Sequence, residues 1–531
     1  MAKPVSLRRK ALAGIFASAM VVSVAACSTD PIVSNTSSAS SESALAGTTD
    51  VGKDSADLFD ASASHTISLN ISQNDIDKIL EAYKNDDEKT WVSADITIDG
   101  TEIKNVGVRL KGNSSLMSLS GNAPGGGQPP QGQANQDQAA TDEASASDNN
   151  NAANPPQGMG NRSGSSIDAS DPTTLPLLIK FDKYVDGQLY QGMSELSLRS
   201  GVPSLNEATA LSALSMTDQA TQRYSYVTYS VNGGSTLTRI VLETPDEYYA
   251  ARLGDGILYK ADASSSLTYQ GDDEDTYTDQ FKQQNGDDNE QPIIDFLKWL
   301  DSADDQEFED NLDKYVDVES LAKYIATQNL LVNSDDMAGP GRNYYLWYDN
   351  STKKLSVLAW DMDMSIQGNA ELSPDSTASM GMGGGKPGQA PGAGAQGATD
   401  ATAADQTDQQ TQTDQATQDN QPTQTDQNGQ QAAPGGMGGG MSSGADKLKE
   451  RFLASSKFKA IYEQQYWELY DQLYGNGALA GVVDQLRTQV PATDGLSQDE
   501  INTDADTLAS FIQQRTDYLA SQRTASTRSA S

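Results

Sequence analysis

Apolar and polar residues alternate in short runs through the first half of the chain, the two-residue period of half-buried strands. Further on they recur every three or four residues, the period of helices. "HTISLN" (65–70) predicts a strand, and Ser72 marks the start of a helix whose Ile76, Ile79, Leu80 and Tyr83 share a face. "WVSADITIDGTEIKNVGVRLKGNSS" predicts two strands folded back at Asp99-Gly100, a strong hairpin signal. "LPLLIKFDKY" (175–184) predicts a strand and "GQLYQGMSELSLRS" a hairpin-like pair. "SLNEATALSALSMTDQA" predicts a helix with Ser204 as N-cap and Glu207 three residues on, the spacing of a capping box. "YSYVTYSVNGGSTLTRIVLETP" predicts a second hairpin at Asn232-Gly233. Three helices follow in "QPIIDFLKWLDS", "DQEFEDNLDKYV" and "DVESLAKYIATQNLLVN", the last with Leu321, Tyr324, Ile325, Gln328, Leu331 and Val332 on one face. "RNYYLWYDNSTKKLSVLAWDMD" predicts a further hairpin, and everything from "DKLKERFLASS" onward reads as helix. Strands first and helices later is the order of an α+β domain.

Composition interrupts this pattern in three places. Residues 28–60 form a Ser/Thr/Ala/Asp-rich segment expected to be a disordered tether, and 117–171 and 373–445 are Gly, Pro, Gln, Asn and Thr tracts too poor in apolar residues to join a core. Loop closure grows costlier only slowly with length, so the expectation is one domain over 61–525 with two surface insertions. Residues 1–27 read as a targeting segment: a basic "MAKPVSLRRK", then an apolar run ending at Cys27, where "VAAC" resembles the bacterial lipobox in which the cysteine is lipidated. The expected protein is extracytoplasmic and lipid-anchored to the bacterial cell membrane. With Cys27 the only cysteine, no intrachain disulfide forms, and a metal site must use oxygen ligands or the single His65. A net charge of −38 over 531 residues argues against nucleic-acid binding through phosphate neutralisation.

The chemistry concentrates between Asn333 and Gly368. "VNSDDMAGPGRN" is a Gly/Pro loop carrying Asp335, Asp336 and Asn343, and "LSVLAWDMDMSIQG" places Asp361 and Asp363 two residues apart behind a strand. Continued as a strand, both acids project from the same face, where like charges repel unless a cation lies between them. Such an all-oxygen set suits a hard divalent ion, and its sparseness suits magnesium better than calcium.

The run "LLVNSDDMAGPGRNYYLWYDNSTKKLSVLAWDMDMSIQG", with "VGVRLKGNSS", "LPLLIKFDKY", "SVNG…VLE" and "GILYKAD" upstream in that order, resembles the CotH (spore-coat protein H) kinase family. The similarity covers roughly residues 65–368 and extends to the helices after 445. It implies an atypical protein-kinase-like fold and transfer of phosphate from ATP to serine or threonine of surface or secreted proteins, with Mg2+ or Mn2+. By the same resemblance Asp361 is the metal-binding acid, Asp363 shares the ion, Asn343 is the second metal ligand and Asp336 orients or deprotonates the acceptor hydroxyl. Lys180 in "LLIKFD" is the expected phosphate contact with Glu207 as its ion-pair partner, Lys111 and Arg109 being the alternatives, and "VRLKGNSS" covers the phosphates. Two features depart from ordinary kinases: Asp336 and Asn343 stand seven positions apart instead of five, and "VRLKGNSS", the segment that would cover the phosphates, is not a G-x-G-x-x-G loop. Both insertions then leave the rim of the cleft. The competing readings are a non-catalytic kinase-like module for adhesion or for envelope or coat assembly, and a calcium-stabilised carbohydrate-binding protein.

Overall fold

The computed structural model describes residues 48–112, 116, 119, 167–201, 204–376 and 444–529. The targeting segment with Cys27, the first part of the tether and most of both low-complexity tracts lie outside the described residues. Among the described residues no helix is long and apolar enough to cross a membrane. The chain divides into two compact units, one made of the residues up to Ser215 with Gln222–Arg252 and Leu479–Thr507, the other of Met216–Thr221, Leu253–Ala478 and the residues from Leu508 on.

The first unit contains β1 (Thr49–Val51), β2 (His65–Asn70), α1 (Gln73–Asp86), β3 (Val92–Ile98), β4 (Thr101–Leu110), β5 (Leu177–Lys180), β6 (Gln188–Tyr190), β7 (Glu195–Leu198), α2 (Leu205–Met216), β8 (Tyr224–Val231), β9 (Leu237–Glu243) and α3 (Glu247–Leu253). Seven of these strands close into a barrel in the order β2-β3-β4-β5-β7-β9-β8, the parallel β2–β8 pair completing the ring. Strand alternation fills it: Ile67 and Leu69 of β2, Ile96 and Ile98 of β3 and Val106 and Val108 of β4 are buried together. The two expected tight turns form as anticipated, Asp99-Gly100 and Asn232-Gly233 having positive φ at both positions (48° and 81°, 52° and 71°). That pairing of left-handed residues suits the twist of the flanking strands. Ser72 caps α1 by accepting from the Asp75 N–H at 3.1 Å.

Two expectations are corrected here. The tether does not run unstructured to residue 60: Thr49–Val51 pairs in parallel with Gln188–Tyr190, and Leu58 and Phe59 are buried in the barrel core. Apolar side chains with a place in the core outweigh the polar composition around them. "GQLYQGMSELSLRS" is also not a hairpin. β6 pairs with β1, whereas β7 lies between β5 and β9, and only an isolated bridge joins Tyr190 to Met193.

The second unit contains β10 (Gly256–Ala261), α4 (Asp275–Thr278), β11 (Phe281–Gln283), α5 (Gln291–Ser302), α6 (Asp305–Asn311), α7 (Val318–Leu330), β12 (Tyr344–Asp349), β13 (Lys354–Ala359), α8 (Gly444–Ala454) and α9 (Ser456–Tyr470). Its antiparallel sheet has the order β11-β10-β12-β13, and α7 packs on α9. α10 (Ala478–Gln489) belongs almost wholly to the first unit, and α11 (Gln498–Ser529) supplies residues to both.

Candidate functional site

The acidic loop grows out of the end of α7. The last carbonyls of that helix need partners, and the fully buried Arg515 of α11 provides them, donating to Asn329 O at 3.0 Å and Leu330 O at 3.3 Å and also to Ala370 O at 3.1 Å. Tyr474 donates its hydroxyl to Leu330 O at 2.8 Å. From this anchored end the chain turns through Val332, a β-branched residue at φ +52°, into Asn333. Asn333 Nδ2 donates to Gln328 Oε1 at 2.7 Å while its Oδ1 accepts from Asp335 N at 3.1 Å, so the amide ties the loop to the helix it left.

Asp335 then folds the loop around itself. Oδ1 accepts from Gly341 N at 2.6 Å and Oδ2 from Asn343 Nδ2 at 2.9 Å. A Cβ on Gly341 would meet Asp335 Oδ2 at 2.4 Å and one on Gly339 would meet Asp335 Cα at 2.5 Å, so only glycine lets the loop close this tightly. Burial foremost, then the charges of Asp361 and Asp336, push the Asp335 carboxyl above the usual carboxylate range, against the hydrogen bonds from Gly341 and Asn343. Because the Asn343 amide nitrogen is committed to Asp335, its oxygen is the atom presented away from that acid.

Asp336 is buried beside it. Oδ1 accepts from Ala338 N at 2.9 Å, and Oδ2 is paired with the ammonium of Lys449 from α8. Met337 is tied to α7 by its N–H on the Tyr324 hydroxyl at 2.9 Å.

In the second acidic segment the sequence reading of Asp361 and Asp363 is corrected. The strand stops at Ala359, Asp361 is left-handed with φ +54° and ψ +62°, and Asp363 lies in a single 3-10 turn, Met362–Met364. The i, i+2 rule therefore does not apply: Asp361 is half-buried and near enough to Asp335 to raise it, while Asp363 is exposed. Beneath them Met362 is fully buried, its sulfur 3.7 Å from Asn333 Nδ2. From Val332 to Ile366 five non-glycine residues have φ between +47° and +61°: Lys353 in the turn between β12 and β13, and Val332, Arg342, Asp361 and Ile366 around the acidic segments. Strain of this kind concentrates at functional sites.

No group of three or more His, Cys, Asp or Glu among the described residues is arranged to hold a metal ion. What the structure does bring together is Asp361 near Asp335, with Asn343 held on Asp335 Oδ2, and carboxylate and amide oxygens are donors of the kind that suit magnesium.

Lys111, Lys180 and Glu207 belong to the barrel unit. Lys180 lies opposite Glu195 in the β5–β7 register, and its Nζ is 3.3 Å from Glu195 and 3.1 Å from Asp182. Burial opposes its charge, but those two carboxylates raise it above its ordinary value. The expected Lys180–Glu207 pair does not form; Glu207, buried in the first turn of α2, is held by Arg199 at 3.1 Å (Nε) and 2.5 Å (Nη2). The cross-strand neighbour of Lys180 is already acidic, and Arg199 is closer in the chain to Glu207. Lys111 extends the β4 ladder through its N–H on Pro176 O at 3.0 Å, and Arg109 lies 4.9 Å from the centroid of the Trp91 ring. Lys449 and Arg515 were missed from sequence. Each lies far along the chain from its partners, and a lysine or arginine on an amphipathic helix carries no signal of what it reaches.

The chain belongs to the CotH kinase family: the family model described as CotH kinase protein matches residues 164–519, two thirds of the chain. The match takes in both acidic segments and the helices after the second tract, and starts beyond "VGVRLKGNSS". No curated protein matches the chain.

Proposed function

We propose that the protein is a lipid-anchored extracytoplasmic protein kinase of kinase-like fold that transfers the terminal phosphate of ATP to serine or threonine hydroxyls of surface or secreted proteins. The observation that carries this reading is the loop 333–343, in which Asp335 commits both oxygens to its own loop and so sets Asp336 and the Asn343 oxygen in place. Asp361, Asn343 and Asp363 are the residues that would hold magnesium or manganese. Held there, such an ion would supply positive charge to offset the phosphate charge during transfer. Asp336 orients the acceptor hydroxyl and takes its proton as the hydroxyl oxygen bonds to the terminal phosphorus and the bond from that phosphorus to the leaving diphosphate breaks. Lys180 is the phosphate contact of this reading, with Lys111 as its alternative. Within the barrel unit Lys180 is paired with Glu195 and Asp182, and Glu207 with Arg199. Cys27 is the lipidated residue.

The test is label transfer from γ-labelled ATP with Mg2+ or Mn2+ to the protein itself and to an envelope extract. Asp336→Asn is expected to lose about 10²- to 10⁴-fold in kcat, the usual contribution of a positioned base. Asp361→Ala is expected to lose activity together with the metal-dependent rise in melting temperature on adding nucleotide. Label transfer undiminished in both variants would sink the site; no transfer and no nucleotide-induced stabilisation in the wild type would favour a non-catalytic surface module.

A further inference from the structure

We infer that Lys449 is the positioning residue of Asp336, so that the acceptor side of the site is completed by a helix lying 113 residues further along the chain. The inference rests on the phosphotransferase reading and assigns a residue that this reading by itself does not require.

Lys449 and Asp336 are 8% and 4% exposed, and the ammonium takes Oδ2 while the Ala338 N–H takes Oδ1. Two donors on two different oxygens fix the rotation of the carboxylate plane. A carboxylate offers about four lone-pair positions, so one on each oxygen is left for an acceptor hydroxyl. A lone buried carboxylate beside Asp335 would also face its neighbour's charge uncompensated, and the lysine cancels it.

The lysine is not a surface side chain that happens to fold inward. Leu448 and Phe452 of the same helix are buried, and Arg451 reaches the carbonyls at the end of α5, Leu300 O at 3.0 Å, Ala303 O at 2.9 Å and Asp304 O at 2.9 Å. Lys447 pairs with Asp301 at 2.7 Å. These contacts seat α8 on α5 and leave Lys449 aimed at Asp336. Phosphoryl transfer has a loose transition state and asks for an oriented base more than for a strong one. Lys449 supplies that orientation.

The experiment uses the full chain as wild type, Lys449→Met, Lys449→Arg, Asp336→Asn and the double variant Asp336→Asn/Lys449→Met, with γ-labelled ATP, Mg2+ and dephosphorylated casein as acceptor. Lys449→Met is expected to lower kcat about a hundredfold and leave the KM for ATP within about threefold, since Asp336 acts on the acceptor and not on the nucleotide. Lys449→Arg recovers activity to within about tenfold of wild type, and the double variant is no slower than Asp336→Asn alone. Should Lys449→Met melt below the assay temperature, Lys449→Arg decides, with kcat lowered and KM for ATP unchanged. Multiplying losses in the double variant, a Lys449→Met kcat equal to the wild type, or a kcat raised by removing the lysine each overturn the inference while the kinase reading stands. A wild type without transfer overturns both.

Discussion

Asp335 carries two hydrogen bonds and a raised pKa to hold its own loop, and its value to the site is geometric. The most exacting test is its neighbour Gly341, where an added methyl has no free direction because Asp335 Oδ2 lies 2.4 Å from the Cβ position. Gly341→Ala is expected to cost about 1–3 kcal/mol, the range for overpacking a tight site, and to abolish transfer even at temperatures where the variant is folded. The check pairs a urea titration with the label-transfer assay. A variant that is destabilised but keeps wild-type kcat would show that the Asp335–Gly341 closure does not set the reacting groups. At this scale the sequence showed the acidic segments, since "NSDD" and "WDMD" stand out as carboxylates where turn and strand end meet, and the structure sets Asp361 and Asp336 close enough to Asp335 to raise its carboxyl. It misplaced how the second pair is presented, because alternation was carried past Trp360 into residues where a left-handed Asp361 breaks it. Lys449 had no local signature, its partner being set by helix docking alone.

Among the elements, α5 begins with an anomaly. Glu290 immediately precedes the helix, is buried, and its Oε2 has no hydrogen-bond partner. Burial, then Asp288 and Glu274, push its carboxyl from 4.5 up to about 7. Between those two pH values the native protein holds a proton that the unfolded chain has released. The stability from this group is therefore full below about pH 4.5 and is lost as the pH rises through about 7. Glu290→Gln keeps the shape without the charge, so at pH 8 the variant should be more stable than the wild type by about 2 kcal/mol, and at pH 4.5 nearly equal to it. Urea midpoints at the two pH values decide it, and an equal shift at both would mean that packing and not ionisation governs the position. Element types were largely legible because strand and helix periods and the Asp-Gly and Asn-Gly turns are local. Partner choice was not: nothing within "GQLYQGMSELSLRS" says that β6 should leave β7 and pair with residues 49–51, a contact made across more than a hundred residues.

For the whole molecule, the α+β class was readable from the order of strands and helices, while the division of the chain was not. The barrel unit is completed by residues 479–507, after the chain has built most of the second unit. Thr238 donates to Pro491 O at 2.6 Å, Asp494 receives the N–H and hydroxyl of Thr236 at 3.0 Å each, and Leu479, Val482, Val483, Leu486, Val490, Leu496 and Ile501 are all buried. Beyond Thr507 the chain belongs to the second unit again, and there Arg515 holds the end of α7 within that same unit. At roughly 1.5 kcal/mol or more for each fully buried Val, Leu or Ile, the seven side chains alone match the net stability of an ordinary domain, about 5–15 kcal/mol. A chain ended after Gly477 should therefore lose cooperative melting, and chymotrypsin should cut within Tyr224–Tyr229 of β8, which the intact barrel protects. A chain ended after Arg523, which keeps every one of these contacts, should melt within a few degrees of the full protein. If the Gly477 chain instead melts cooperatively with β8 protected, the barrel closes without its returning segment. Truncation tolerance in this protein follows from burial of the returning helices and not from their distance from the acidic loop.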